Sequence, residues 1–458
     1  MAVTVATAKD RYLAEFEALE RQGTLRSPSW LAPLRRQAID RFAERGFPTT
    51  RDEDWRYTNL ASLAATPFRP AGLAPEGVPA GALETWREIE ERHAFPGPPT
   101  PAIWPRLVFV DGRYSPELST AARPLPGGGR AGSLAEAMIT DGTVLERHLG
   151  RHACGDGNVF AALGTAFVQD GAFVCLPAEA RSETPIELVF LAATPGVVAH
   201  PRTLIVAGLH SRLAVVERYV GLTDEAYFTN AVTEIVAGPG AAVDHYVLQE
   251  QGAAAFHVAT LHAALARDSA FATCGASFGG RLARTTLSVA FAGEGARSAV
   301  SGLYVVGGRQ HVDHHVTVDH AVARCASQQL FKGVLDGTSR AVFNGRIVVR
   351  PGAQKTDAIQ TNKHLLLSDG VEVDSKPQLE IFADDVKCTH GAAEGQLAPE
   401  ALFYLKSRGM GEAAARALLT YGFAREVLER VAVEPLQAYL DRLLMARLRT
   451  GRATREIA

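Results

Sequence analysis

Between residues 155 and 395 the chain is cut into short β-type runs: TPIELVFLAA, RTLIVAG, SRLAVVERYVG, AVTEIVAG, AAVDHYVLQ, RTTLSVAFAG, SAVSGLYVVGG, SRAVFNGRIVV and LEIFA. Turn pairs such as Pro239-Gly240, Asp336-Gly337 and Pro351-Gly352 separate them. This pattern constrains the fold most, because such runs without intervening helical periodicity exclude a βαβ sheet and leave a sandwich, a barrel or a solenoid. Several units repeat an order of turn, small residues and apolar run, as in GPGAAVDHYVL, GEGARSAVSGLYVV and DGTSRAVFNGRIVV, which points to a β-helix. The turns near 239, 294, 337 and 352 are unequally spaced, so spacing alone does not establish the repeat.

The flanks read differently. In SPSWLAPLRRQAIDRFAERGFP, Ser29 is placed to cap a helix of about four turns. Its apolar face carries Leu31, Leu34, Ala38, Ile39 and Phe42, and Gly46 and Pro48 stop it. Beyond DEDWRYTNL, the stretches AGLAPEGVPAGAL and AFPGPPTPAIWP carry too much Pro and Gly for continuous helix or central strand and read as a partly ordered connector. Near the other end, Pro399 opens a helix that Gly409 closes. A second places Ala415, Leu418, Leu419, Phe423, Val427 and Leu428 on its apolar positions, and a third follows Pro435. The expected division is a helical region with connector over 1–150, a β core over 151–395 and a helical domain over 396–458. The last helices are expected to pack on the core, a partner-binding groove being the other use of such faces.

The chain has 458 residues, 47% of them hydrophobic, enough for a large buried core. Its 47 basic and 50 acidic residues leave a net charge of −3, so no overall basic field recruits nucleic acid or anionic lipid. The start, MAVTVATAKDRYLAEFEALERQG, turns charged before a secretory apolar stretch develops, and no later run nears the roughly 20 apolar residues of a membrane span. A soluble, cytoplasmic protein with reduced thiols is expected. Its five cysteines (154, 175, 274, 325 and 388) form no CxxC, against both a disulfide framework and a closed structural zinc site.

Two motifs are set aside. Gly127-Gly-Gly-Arg-Ala-Gly132 matches GxGxxG but follows ARPLP rather than a buried strand, and reads as a flexible loop before a helix at SLAEAM. Gly275-Ala-Ser-Phe-Gly279 matches GxSxG, yet GRLARTTLSVAFAG alternates like a strand where a hydrolase elbow needs a helix. No GxxxxGK[ST] is present, so this chain is expected to hydrolyse no ATP through a P-loop and to bind no nucleotide. The stretch HVDHHVTVDH puts His311, Asp313 and His315 on one strand face and His314 and His320 on the other; a polar ladder or subunit contact is favoured over a metal site. In DDVKCTHGA, Cys388 and His390 project from the same face if the segment is extended. A thiol and an imidazole suit a soft metal or cluster, but two ligands do not close a site. A half-buried cysteine beside a satisfied histidine is the alternative.

The run from QKTDAIQTNKHLLLSDGVEVDSKPQLEIFADDVKCTHGAAEGQL through LFYLKSRGM to LLTYGFAREVLERV resembles the conserved end of the SufB/SufD family, scaffold subunits of the Suf iron-sulfur assembly system. QQLFKGVLDG, FNGRIVVRPGAQKTDA and, more weakly, DEDWRYTNL resemble it too. The D type matches better, since Lys363 stands in TNKHLLL where the B type usually carries a cysteine, while Cys388 and His390 match the D-type CxH pair at the interface with the B subunit. The resemblance implies a right-handed parallel β-helix flanked by helical regions, acting as a non-catalytic scaffold in cluster assembly and iron acquisition. It implies a SufB-like paralogue as heterodimer partner and an ABC-type ATPase like SufC docked on the carboxy-terminal helices, with Leu402, Phe403, Tyr404, Leu405, Arg408, Gly409, Tyr421, Gly422 and Phe423 on that surface. Cys388 and His390 would hold iron or a nascent Fe-S cluster transiently. Reduced flavin accompanies some family complexes, with no residue pattern here to locate it, and a homodimer of the isolated chain stays open. The alternative is a purely structural partner that holds SufB and SufC without ligating metal or cluster.

Overall fold

The computed structural model describes residues 5–71, 80–93, 104–120, 125–153 and 157–450. Its centre is a parallel β-solenoid in which successive strands alternate between two sheets, so each coil contributes one strand to each. One sheet runs from Gly171–Leu176 to Glu372–Ile381, and the other from Ile186–Ala192 to Lys387–Gly395. Every run read as a strand is one, and consecutive coils pair in unbroken register, as in Leu282↔His311↔Arg340↔Glu372. Alternation sends one set of side chains into a shared lumen, where Val215, Ile235, Val289, Val318 and Phe343 are fully buried.

The irregular turn spacing has a structural cause. One corner of successive coils takes a left-handed residue, supplied by Glu179, His210, Gly240, Asp268, Gly295, Arg324 and Lys355 at intervals of 27 to 31 residues. Only two are glycines, so the period is hidden from a search for glycine. Gly308 and Gly337 belong to another corner, so glycine turns from the two corners fall at unequal spacings along the chain.

The helical stretch at the start runs from Ala32 to Arg45, with Gly46 at its C-cap. Ser29 does not cap it: Leu31 occupies the N-cap position and Pro33 supplies the first turn. Arg35 of this helix is buried and donates to the carbonyls of Val168, Leu25 and Ser27. The connector contains a helix at Ala80–His93, which periodicity around Trp86 sustains despite the flanking Pro and Gly. The GGGRAG stretch is a short 3-10 turn at Pro126–Gly128 followed by a strand, Arg130–Ser133, rather than a loop throughout; Ser133 then caps the helix Leu134–Thr140. Glu234, wholly buried, pairs with Arg202 and accepts from the N–H groups of Gly150, His152 and Ala153, anchoring the loop before the helix Val159–Ala166 to the sheet.

The carboxy-terminal helices Pro399–Ser407, Glu412–Leu428 and Glu434–Thr450 are bounded where Pro399, Gly409 and Pro435 indicated. The last two cover the outer face of the second sheet, burying Ala424, Val427, Leu428, Leu436, Tyr439 and Leu440 against Val216, Leu248 and Leu303. Arg218 lies between Glu187 and Glu250, with its guanidinium 3.1 Å from the Tyr439 hydroxyl, fixing the last helix to the solenoid.

The lumen also holds polar groups. Burial lowers the pKa of His257, His314, His320 and His364 to about 4, leaving them neutral. Gly333 makes room for one contact among them: a Cβ there would lie 2.1 Å from the Tyr304 ring, whose hydroxyl meets His364 Nε2 at 2.5 Å.

Two measurements follow. Gly295→Ala places a Cβ 2.2 Å from Asp268 Oδ1 at a left-handed position and lowers stability by about 1–2 kcal/mol, whereas Arg324→Gly, which removes left-handed strain one coil later, does not; urea midpoints compare them. Below pH 6.5 the unfolded chain binds protons that the lumen histidines refuse. Stability is therefore complete above that pH and lost as pH falls towards 4, by about 1 kcal/mol per histidine at pH 5.5. An unchanged urea midpoint between pH 7.5 and 5.5 would contradict this.

Candidate functional site

Cys388 and His390 lie on the terminal strand Lys387–Gly395, which pairs with Asp357–Leu366 on one side and with no described strand on the other. Register places Cys388 opposite Ala358 and His390 opposite Gln360, both buried lumen residues. Thiol and imidazole therefore share the lumen face of the last rung, as alternation predicted. Their floors differ. Cys388 packs, half-buried, with Ile347, Val349, Ala353 and Leu379, and burial, aided by the Asp357 charge, raises its thiol pKa. His390 is exposed above a polar layer in which Gln360 reaches Gln329 and Asn362 donates to Ser375 at 2.8 Å. Gly345 admits the Gln360 amide, since a Cβ there would sit 1.5 Å from its nitrogen.

The last strand of the other sheet, Glu372–Ile381, likewise pairs on one side among the described residues. The solenoid thus ends in two open edges of nine and ten residues. Ile381 and Phe382 stand 41% and 62% exposed beside this end. Lys387 N–H bonds inward to Thr356, so alternation points the N–H groups of Cys388, His390, Ala392 and Glu394 outward. Long edges with outward backbone groups of this kind are templates for another strand. Glu394, on the same lumen row as His364, has its pKa raised by burial and by Asp374. The alternation that joins Cys388 to His390 also reaches Glu394, which no short motif marks.

Among the described residues no group of three His, Cys, Asp or Glu side chains could hold a metal ion, and the soft pair at this end is two donors alone. Cys274 lies under the carboxy-terminal helices and Cys325 at a lumen corner, both with burial raising the thiol pKa, to about 12 for Cys274. Cys154 falls outside the described residues. Lys363 faces the outer side of its sheet, opposite to the lumen row of Gln360 and Asn362. Ser277 ends a strand and a second strand follows, which removes the hydrolase elbow.

The histidine stretch forms the strand His311–His320 with the predicted split of faces. His314 stacks on Tyr304 inside, and His320 bonds Ser327. The outer face is covered rather than free: Asp313 is fully buried, paired with Arg284 and His315 and receiving the Thr58 hydroxyl, while Thr58 also meets His311 at 2.9 Å. Burial would raise the Asp313 carboxyl, but these partners outweigh it and hold its pKa well below the usual range. DEDWRYTNL supplies this cover, with Trp55 against Arg284 at 3.6 Å and Glu53 bound to Lys376.

On the carboxy-terminal helices Phe403 and Tyr404 are 74% and 56% exposed, and Arg408, Gly409 and Gly422 are exposed as well. Leu402 and Leu405 are half-buried. Tyr421 and Phe423 turn partly to the body, the first bonded to Asp441 and the second beneath Lys332. Leu418, an apolar position of its helix expected to pack on the core, is instead 47% exposed.

Two family profiles match the chain: "SUF system FeS cluster assembly, SufBD core domain" over residues 190–423, and "SufBD protein N-terminal region" over residues 6–81 and 103–188. An iron-sulfur cluster assembly SufBD family protein of Synechocystis is 33% identical, covering 94% of this chain and 95% of that protein. The iron-sulfur cluster assembly protein SufD of Escherichia coli is 32% identical over 91% of this chain and 92% of its own length, and that of Bacillus subtilis is 25% identical over 95% and 97%. With its parallel solenoid, its helical flanks and its end-on thiol and imidazole, the chain belongs to the SufBD family of iron-sulfur cluster assembly proteins.

Proposed function

We propose that this chain is a D-type scaffold subunit whose open solenoid end pairs, edge to edge, with a SufB-like paralogue, and whose Cys388 and His390 hold iron or a nascent cluster as cargo at that junction. The observation that carries the reading is the position of both donors on the lumen face of a last rung whose outward N–H groups have no partner among the described residues. Two donors are an unfinished set, and a strand added by another chain would bring further ligands and bury the pair. The role is that of a cytoplasmic, non-catalytic scaffold.

The exposed surface of Phe403, Tyr404, Leu418 and Arg408 is the proposed seat of a SufC-like ATPase. The following helices grip the outer face of the sheet that ends in the terminal strand, with Lys332 paired to Glu426 and bound to the carbonyl of Phe423 at 2.8 Å. Movement of the ATPase subunits would thus act on the sheet that carries Cys388. An apolar, half-buried thiol stays protonated, and metal competes for it only as thiolate, so opening the junction governs ligation.

Replacing Cys388 and His390 together by Ala leaves assembly with both partners intact but lowers the iron and sulfide content of the anaerobically isolated complex several-fold. Full cluster content in that variant favours the purely structural role. Ala392→Pro deletes one outward N–H while sparing the inward ladder; it abolishes co-purification with the paralogue and shifts the melting temperature of the isolated chain by only a few degrees. Retained co-purification would place the junction elsewhere.

A further inference from the structure

A second constellation lies on the other sheet, at the corner where Leu282–Phe291, His311–His320 and Arg340–Val349 begin. The docked segment DEDWRYTNL closes over this corner and leaves a pocket of about 380 Å³, lined chiefly by Arg56, Arg281, Arg309, Arg340, Asn59 and Ser62. Among the described residues no carboxylate lines it. Arg340 is paired with Glu372 at 2.6 Å and lies 3.9 Å from Asp374. Among the described residues Arg56, Arg281 and Arg309 make no direct ion pair; Glu53 is bound to Lys376 and acts on Arg56 only at longer range, and Asp313 is engaged by Arg284. Asn59 spends its Oδ1 on the N–H of Ala61 at 2.8 Å, so its amide has only donors left to offer.

We propose that this pocket binds a small molecule carrying a phosphate or diphosphate group. Three guanidiniums that line one pocket with no direct ion pair among the described residues repel one another, and a multiply charged anion relieves that repulsion. Guanidinium forks match phosphate oxygens in pairs, and hydroxyl and amide donors complete the set. The volume accommodates a ligand of nucleotide size. The cradle is built from side chains on successive coils and needs no glycine loop, so the missing P-loop motif does not bear on it. Because Arg56 and Asn59 come from the docked segment while Arg281 and Arg309 come from the solenoid, the ligand would also fasten one to the other. The inference does not depend on the role assigned to Cys388 and His390.

Isothermal titration of the full chain with sodium pyrophosphate and with ADP, at matched ionic strength, tests it. Both probes bind saturably. Arg281→Ser with Arg309→Ser, two exposed positions, weakens binding about tenfold or more, while Arg267→Ser, an exposed arginine elsewhere, leaves it unchanged. Tighter binding of ADP assigns the site to a nucleotide, and equal binding assigns it to the phosphate group alone. The absence of saturable binding by either probe, or equal affinity in the double variant with unaltered thermal unfolding, overturns the proposal.

Discussion

A parallel ladder satisfies each strand only by presenting the next one, and this requirement organises the whole molecule. Inside the solenoid every coil donates to and accepts from its neighbours, so the backbone can be buried on both faces. At the amino-terminal end the ladder is closed within the chain, by the antiparallel strand Arg130–Ser133 on one sheet and the short hairpin Arg106–Tyr114 on the other. At the carboxy-terminal end neither edge has a described partner. The asymmetry places thiol, imidazole and unmatched backbone groups on one surface.

The helical flanks are held to this ladder by buried charge. Glu234 with Arg202, Asp313 with Arg284, and Arg218 with Glu187 and Glu250 each sit where a flank meets a sheet. Removing one member would leave an uncompensated charge in the interior, which is far more costly than the pair is favourable. These pairs therefore specify where the flanks dock more than they add stability.

The solenoid was legible because strand parity and turn pairs are local signals, and the pairing of Cys388 with His390 on one face followed from the same parity. The period was not, because His210, Asp268, Arg324 and Lys355 adopt left-handed backbone without the glycine that would announce it. The cover over Asp313 was invisible since Thr58 lies 255 residues away in sequence. The helix at Ala80–His93 was obscured by the Pro and Gly around it. The arginine pocket needed the register: Arg281, Arg309 and Arg340 converge only once the coils stack.

The corner that precedes the terminal strand is pinned on both sides, by the N–H of Lys355 on the carbonyl of Asp385 and by the N–H of Asp385 on Gln354 Oε1 at 2.9 Å. Its length sets a phase. Inserting or losing one amino acid there would preserve the ladder yet rotate sulfur and imidazole to the outside, exchanging them with Thr389. The bend at Asp384-Asp385, chemically inert itself, is thus the part that decides which way the final rung looks.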